Sequence, residues 1–85
     1  ADAKGLLLES IFDDNPVIFL EHRWLHEMQG DVPEGDHRVP IGQCRKVFSG
    51  TDITLVSLSY MTIEASHAVE QIQKQGASVE LIDLR

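Results

Sequence analysis

A single cysteine, Cys44, stands in 85 residues, so no internal disulfide can form and no four-cysteine zinc site exists. Basic residues are also few: 7 Lys and Arg face 14 Asp and Glu, for a net charge of −7. Without a basic stripe there is no electrostatic footprint for a duplex nucleic acid and no polybasic patch for an anionic membrane. No apolar run approaches the ~18 residues that a bilayer span requires. No signal-peptide pattern opens the chain. There is no internal repeat, no low-complexity tract and no glycine-rich phosphate loop. What is present is ordinary globular material, 42% hydrophobic and 25% charged, which argues against disorder. The length suffices for one small domain with a thin core.

Ala3 to Phe12 reads as an amphipathic helix, with Asp2 as its expected N-cap and Leu6, Leu7, Leu8, Ile11 and Phe12 at one-turn spacings. Gly5 costs such a helix about 1 kcal/mol against alanine. Asp13-Asp14-Asn15-Pro16 is a stop: turn-formers precede a residue that cannot continue the ladder. Val17 to Leu20 is an unbroken apolar run, the pattern of a parallel strand buried on both faces. His22 to Met28 is expected to form a short helical turn with Trp24, Leu25 and Met28 on one side. Gln29 to Pro40 carries Gly30, Pro33, Gly35 and Pro40 and is a linker by composition.

Beyond the linker, Cys44 to Phe48 predicts a short strand, and Ser49-Gly50-Thr51-Asp52 reads as a hairpin turn. Ile53 to Leu58 predicts a second strand. Thr62 to Gln75 predicts a helix, closed by Gly76 in the left-handed conformation. Val79 to Leu84 predicts a third strand. Strand, helix and strand of these lengths make a crossover unit joining parallel strands. The fold class is therefore α/β, with partial parallel-sheet units and a strand-helix-strand crossover in the second half. The chain opens inside a helical pattern and stops just after a strand-like run, so both ends are expected to be cut.

Few residues offer chemistry. His22 and His26 are four apart beside Glu21, but the glutamate precedes the first histidine and no later ligand has zinc-protease spacing. They read as surface histidines; His37 falls in the linker and His67 on a helix. Cys44 lacks an organising base and reads as a small, partly buried core thiol. Ser57, Ser59 and Tyr60 end a strand before a helix, where open parallel sheets bind ligands; the plainer reading is that Ser59 or Tyr60 caps the helix. Asp13, Asp14 and Asn15 place oxygens beside the unpaired carbonyls of a helix end, an arrangement able to hold a cation, although most such turns are merely solvated.

The order of segments resembles one family. Ala3-Lys4-Gly5-Leu6-Leu7 and Asp13-Asp14-Asn15-Pro16-Val17-Ile18-Phe19-Leu20-Glu21 look like the end of the pyrimidine-binding domain in beta subunits of thiamine-diphosphate-dependent 2-oxo acid dehydrogenases. Val39-Pro40-Ile41-Gly42 resembles the entry into the next domain. Gly50 to Val56 and Val79 to Arg85 resemble the first strands of the transketolase C-terminal domain. Deoxyxylulose-phosphate synthases and transketolases share the later half; Phe19-Leu20-Glu21-His22 looks closer to the pyruvate, branched-chain and acetoin types.

The resemblance implies three parts: residues 1–28 as the end of the pyrimidine-binding domain, 29–40 as the linker, and 41–85 as the start of the C-terminal domain. It implies oxidative decarboxylation of a 2-oxo acid by the parent protein, with thiamine diphosphate and magnesium as cofactors. It also implies an alpha subunit, a second beta subunit and an acyltransferase component as partners, in the bacterial cytoplasm or the mitochondrial matrix. No stretch of this chain matches the family's catalytic glutamate segment, so the chain itself is expected to be inactive, with no catalytic or cofactor-binding residue. One family site carries over by resemblance: a potassium ion held by the Ser10 backbone carbonyl with Asp13 and Asn15. The competing readings are a self-contained, non-enzymatic α/β interaction module, or part of a deoxyxylulose-phosphate synthase or transketolase.

Overall fold

In the computed structural model, which describes residues 1–85, regular structure is concentrated in the second half. The chain divides into two units, Ala1–Gly42 and Gln43–Arg85.

The first unit begins with helix α1, Asp2–Ile11. Its N-cap is Ala1 rather than Asp2, which enters the first turn and there meets the positive end of the helix. The stop at Asp13–Pro16 is observed as an Asx turn: the Asp13 carboxylate accepts from the Asn15 backbone N–H at 2.8 Å and its side-chain amide at 2.9 Å. A single 3₁₀ turn, Arg23–Glu27, follows. The His22 Nδ1 accepts from the Trp24 amide at 3.3 Å and so caps it.

Val17–Leu20 is not a strand. It joins no ladder, and Ile18 and Leu20 are 87% and 88% exposed. Continuous hydrophobicity reports a preference for burial, but a doubly buried strand also requires neighbours that satisfy its amides. The sheet of this chain contains no strand from the first half.

The second unit is built around its last strand. Strands β1 (Arg45–Phe48), β2 (Ile53–Ser57) and β3 (Val79–Asp83) form one sheet in the order β1-β3-β2. Helix α2, Met61–Lys74, connects β2 to β3. β2 and β3 are parallel, as the crossover reading requires, with Leu55 beside Leu81 and Ser57 beside Asp83. β1 is antiparallel to β3, and a bulge between Lys46 and Phe48 brings Phe48 opposite Leu81.

The expected hairpin is absent because β3 lies between β1 and β2. Ser49–Asp52 instead crosses the end of β3 and is fastened there. The Asp52 amide donates to the Ser78 carbonyl at 2.9 Å, and the Ser78 amide donates to the Asp52 carboxylate at 2.7 Å. Gly50 is required at this crossing: a Cβ there would lie 2.1 Å from the Val79 carbonyl carbon and 2.4 Å from its nitrogen.

The core follows from two periods. On β3, Val79, Leu81 and Asp83 are buried while Glu80 and Ile82 are half-buried. On α2, Ala65, Val69 and Ile72 recur at helical spacing and meet that face, joined by Leu55, Val47 and Phe48. Val69, Val79 and Leu81 are fully buried, each stabilising the fold by about 1.5–3 kcal/mol over an exposed position. Gly76, at φ +95°, closes α2 as expected. Cys44 departs from expectation: it precedes β1, joins no core and is exposed.

Candidate functional site

Polar groups converge at the helix-end turn and at the carboxyl ends of β2 and β3. At the first, Asp13 and Asn15 are brought side by side just after α1, and the paired amides of Asn15 hold the Asp13 carboxyl below its ordinary range. Ser10 lies in the last turn, where helix carbonyls lack intrahelical partners. Its hydroxyl is turned inward, donating to the Leu6 carbonyl at 2.7 Å. The three residues of the expected potassium site are therefore close along the chain, with the Ser10 side chain committed to the helix.

At the second place, Thr62 in the first turn of α2 reaches across to the end of β3. Its hydroxyl donates to the Asp83 carboxylate at 3.0 Å and accepts from Ser57 at 2.9 Å. Thr62 and Asp83 are 4% and 8% exposed. The same Asp83 oxygen accepts the Arg85 amide at 3.1 Å, while its other oxygen lies 3.5 Å from the Arg45 guanidinium. A carboxylate on a core face is tolerated only when its oxygens are bonded in this way. The cluster ties the carboxyl ends of β2 and β3 to the start of α2 and, through Arg45, reaches the facing end of β1.

Sequence reading missed this pair. Period-two spacing from Val79 and Leu81 already places Asp83 on the core face, and a buried carboxylate needs a donor. Ser59 or Tyr60 is the cap expected from the sequence. The Ser59 backbone turns left-handed, at φ 57°, and its carbonyl accepts the Thr62 amide at 3.0 Å. Tyr60 occupies the N-cap position without a side-chain cap; its hydroxyl bonds Glu64, which pushes the phenol pKa up.

The histidines form no site. His26 pairs with Glu21 at 3.3 Å, while the His22 ring packs edge-on against Trp24 at 5.5 Å. A 3₁₀ turn has three residues per turn, so positions 22 and 26 do not share a face. No group of three His, Cys, Asp or Glu side chains could hold a metal ion. An open apolar groove of about 600 Å³ lies between β2 and α2, lined by Leu55, Val56, Leu58, Met61, Ala65 and Ala68 among others. Diphosphate with magnesium needs clustered oxygen ligands and phosphate-facing donors. The groove adds only Ser57 and Glu64 to an apolar lining, and the oxygens of the Thr62–Asp83 cluster are bonded to one another and to Arg85 and Arg45, so these residues do not fit thiamine diphosphate.

The profile of the transketolase C-terminal domain family matches residues 42–85. The chain belongs to this family. The matched stretch includes the whole crossover unit, so membership agrees with the parallel β2–β3 pair and its helix. Similarity to individual family proteins extends further. The chain is 40% identical over 84 residues to the beta subunit of acetoin:2,6-dichlorophenolindophenol oxidoreductase of Cupriavidus necator, covering 99% of the chain and 25% of that protein. It is 45% identical over 85 residues to the pyruvate dehydrogenase E1 component subunit beta of Staphylococcus epidermidis, covering 99% and 26%. The corresponding Staphylococcus aureus subunit is 41% identical over the same length. The chain thus spans about a quarter of the length of these relatives. All three are named as beta subunits. No helix is long and apolar enough to cross a membrane.

Proposed function

We propose that this chain is the inter-domain part of a beta subunit of a thiamine-diphosphate-dependent 2-oxo acid dehydrogenase, of the pyruvate, branched-chain or acetoin type. The observation that carries the reading is similarity over 99% of the chain to such subunits, reaching well beyond the 42–85 family match. In this reading residues 1–28 end the pyrimidine-binding domain, 29–40 link, and 41–85 begin the transketolase C-terminal domain. The local task is scaffolding. Thiamine diphosphate and magnesium are held elsewhere in the assembly and supply the decarboxylation chemistry. The partners are an alpha subunit, a second beta subunit and an acyltransferase component, in a bacterial cytoplasm.

A chimera tests this. The corresponding segment of the Staphylococcus epidermidis beta subunit is replaced by these 85 residues and the subunit is mixed with its alpha partner. Retained assembly and pyruvate-dependent dye reduction are expected. A chimera that folds but neither assembles nor turns over refutes the reading. The 85-residue chain alone, given thiamine diphosphate, magnesium and pyruvate, is expected to release no carbon dioxide.

Within the whole subunit, the Ser10 carbonyl, Asp13 and Asn15 contribute to a potassium site. Support comes from the adjacency of the Asp13 and Asn15 side chains at a helix end. Asp13→Ala in the chimera should raise the potassium concentration needed for half-maximal activity; an unchanged potassium dependence counts against the site.

A further inference from the structure

The segment that composition marks as a linker is fastened to α1. Three contacts carry it. The Lys4 ammonium donates to the Pro33 carbonyl. The Arg38 guanidinium lies over the Phe12 ring, 4.0 Å from its centre, and is held flat by two bonds to the Asp36 carboxylate at 3.0 and 3.3 Å. The Val39 amide donates to the Gly5 carbonyl at 3.2 Å, and the Val39 side chain is buried against Gly5. Between these anchors the chain folds back on itself: Gly35 sits at φ +71° and its carbonyl accepts the His37 amide at 3.0 Å.

We propose that residues 33–39 are a strap docked along α1, with Gly5 as its seat. A Cβ at position 5 would fall 2.5 Å from Val39 Cγ2 and 3.0 Å from the Val39 nitrogen, so any side chain there displaces the strap. This explains a residue that otherwise only weakens the helix. The consequence is conformational. Left free, the stretch from the start of the linker at Gln29 to the end of the first unit at Gly42 would extend to roughly 45–50 Å at ~3.3–3.6 Å per residue. With Val39 docked, only Pro40, Ile41 and Gly42 remain beyond the last anchor, a reach of about 10 Å. The strap converts a loose tether into a short one.

Gly5→Ala separates the strap from the helix, because the two respond in opposite directions. Alanine favours α1, so protection of the Ser10 and Ile11 amides from hydrogen exchange should rise. The Val39 amide, at least about tenfold more protected than that of Gly30 in the unaltered chain, should fall to the Gly30 level. The Leu81 amide reports the second unit and should not change. Arg38→Ala, which leaves α1 intact, should lower Val39 protection without altering Ser10. A Val39 amide that is unprotected in the unaltered chain, or that keeps its protection in Gly5→Ala, overturns the proposal.

Discussion

Replacing Thr62 by valine removes one oxygen and keeps the branched shape, so packing against the sheet is preserved. Two bonds go with the oxygen: the 3.0 Å bond to Asp83 and the 2.9 Å bond from Ser57. The losses are unequal. The Ser57 hydroxyl already lies 3.5 Å from the Ile82 carbonyl and can turn to it. The Asp83 oxygen keeps only the Arg85 amide, at 3.1 Å, in a position that water barely reaches. Stranding part of the bonding capacity of a buried acceptor costs about 1–3 kcal/mol. For a domain of ~60–100 residues each kcal/mol lowers Tm by roughly 4–8 °C. Hydrogen exchange at the Leu81 and Ile82 amides measures the second unit directly, without assuming that the whole chain unfolds together. Thr62→Ser restores the oxygen and should recover most of the loss. If Thr62→Val leaves β3 protection within about 0.5 kcal/mol of the unaltered chain, the Thr62–Asp83 bond is not holding the helix to the sheet.

Further outcomes follow from the same contacts. Gly50→Ala should destabilise the second unit by at least about 2 kcal/mol, because the new methyl meets β3 backbone that cannot rotate away; chemical denaturation reads it. Leu81→Ala, at a fully buried position, should cost about 2–5 kcal/mol in the same assay. The Lys46 ammonium, and secondarily the Thr54 hydroxyl, hold the Glu80 carboxyl below its ordinary value of 4.5. A depressed folded pKa means that this contribution is present above the unfolded pKa and is lost as pH falls through the folded one. Stability should therefore decline below about pH 4.5, and Lys46→Met should flatten that part of the pH profile.

Much of the second unit was legible because local patterns and tertiary needs agree there. Ile53–Ser57, Met61–Lys74 and Val79–Asp83 each carry the period of the element they form, and Gly76 marks the helix end. The errors fall where a residue answers to something distant in sequence. Ser49–Asp52 has hairpin composition, but its bonds go to Ser78, a partner supplied by a strand that inserts between its neighbours. Gly5 reads as a defect until Val39 is seen against it. Asp83 was readable in principle, since alternation fixes its face, yet its donor sits in a different element. Of the candidate cation site, the turn was legible from Asp13-Asp14-Asn15-Pro16; the inward commitment of the Ser10 hydroxyl was not.

The apolar residues that remain at the surface bear on which reading of the chain is right. A self-contained module should spend its hydrophobic residues on its own core. Here four apolar side chains are buried, Val39, Val69, Val79 and Leu81, against fifteen large ones left exposed. Single exposed leucines need no explanation, but continuous ones do. Val17, Ile18 and Leu20 are consecutive or nearly so, and Val56, Leu58 and Met61 gather at the open side of β2 beside α2. β2 is also an edge of the sheet, with ladder groups that natural proteins usually shield. Apolar runs and an unshielded edge are what a segment shows when it is shaped to pack within a longer subunit. The relatives, about four times as long as this chain, supply such a setting. The same reasoning predicts that the 85-residue chain self-associates in solution, and that charged substitutions at Val56 and Leu58 reduce that association, measured by sedimentation. A chain that stays monomeric at high concentration and melts in a single sharp transition would instead favour the self-contained module.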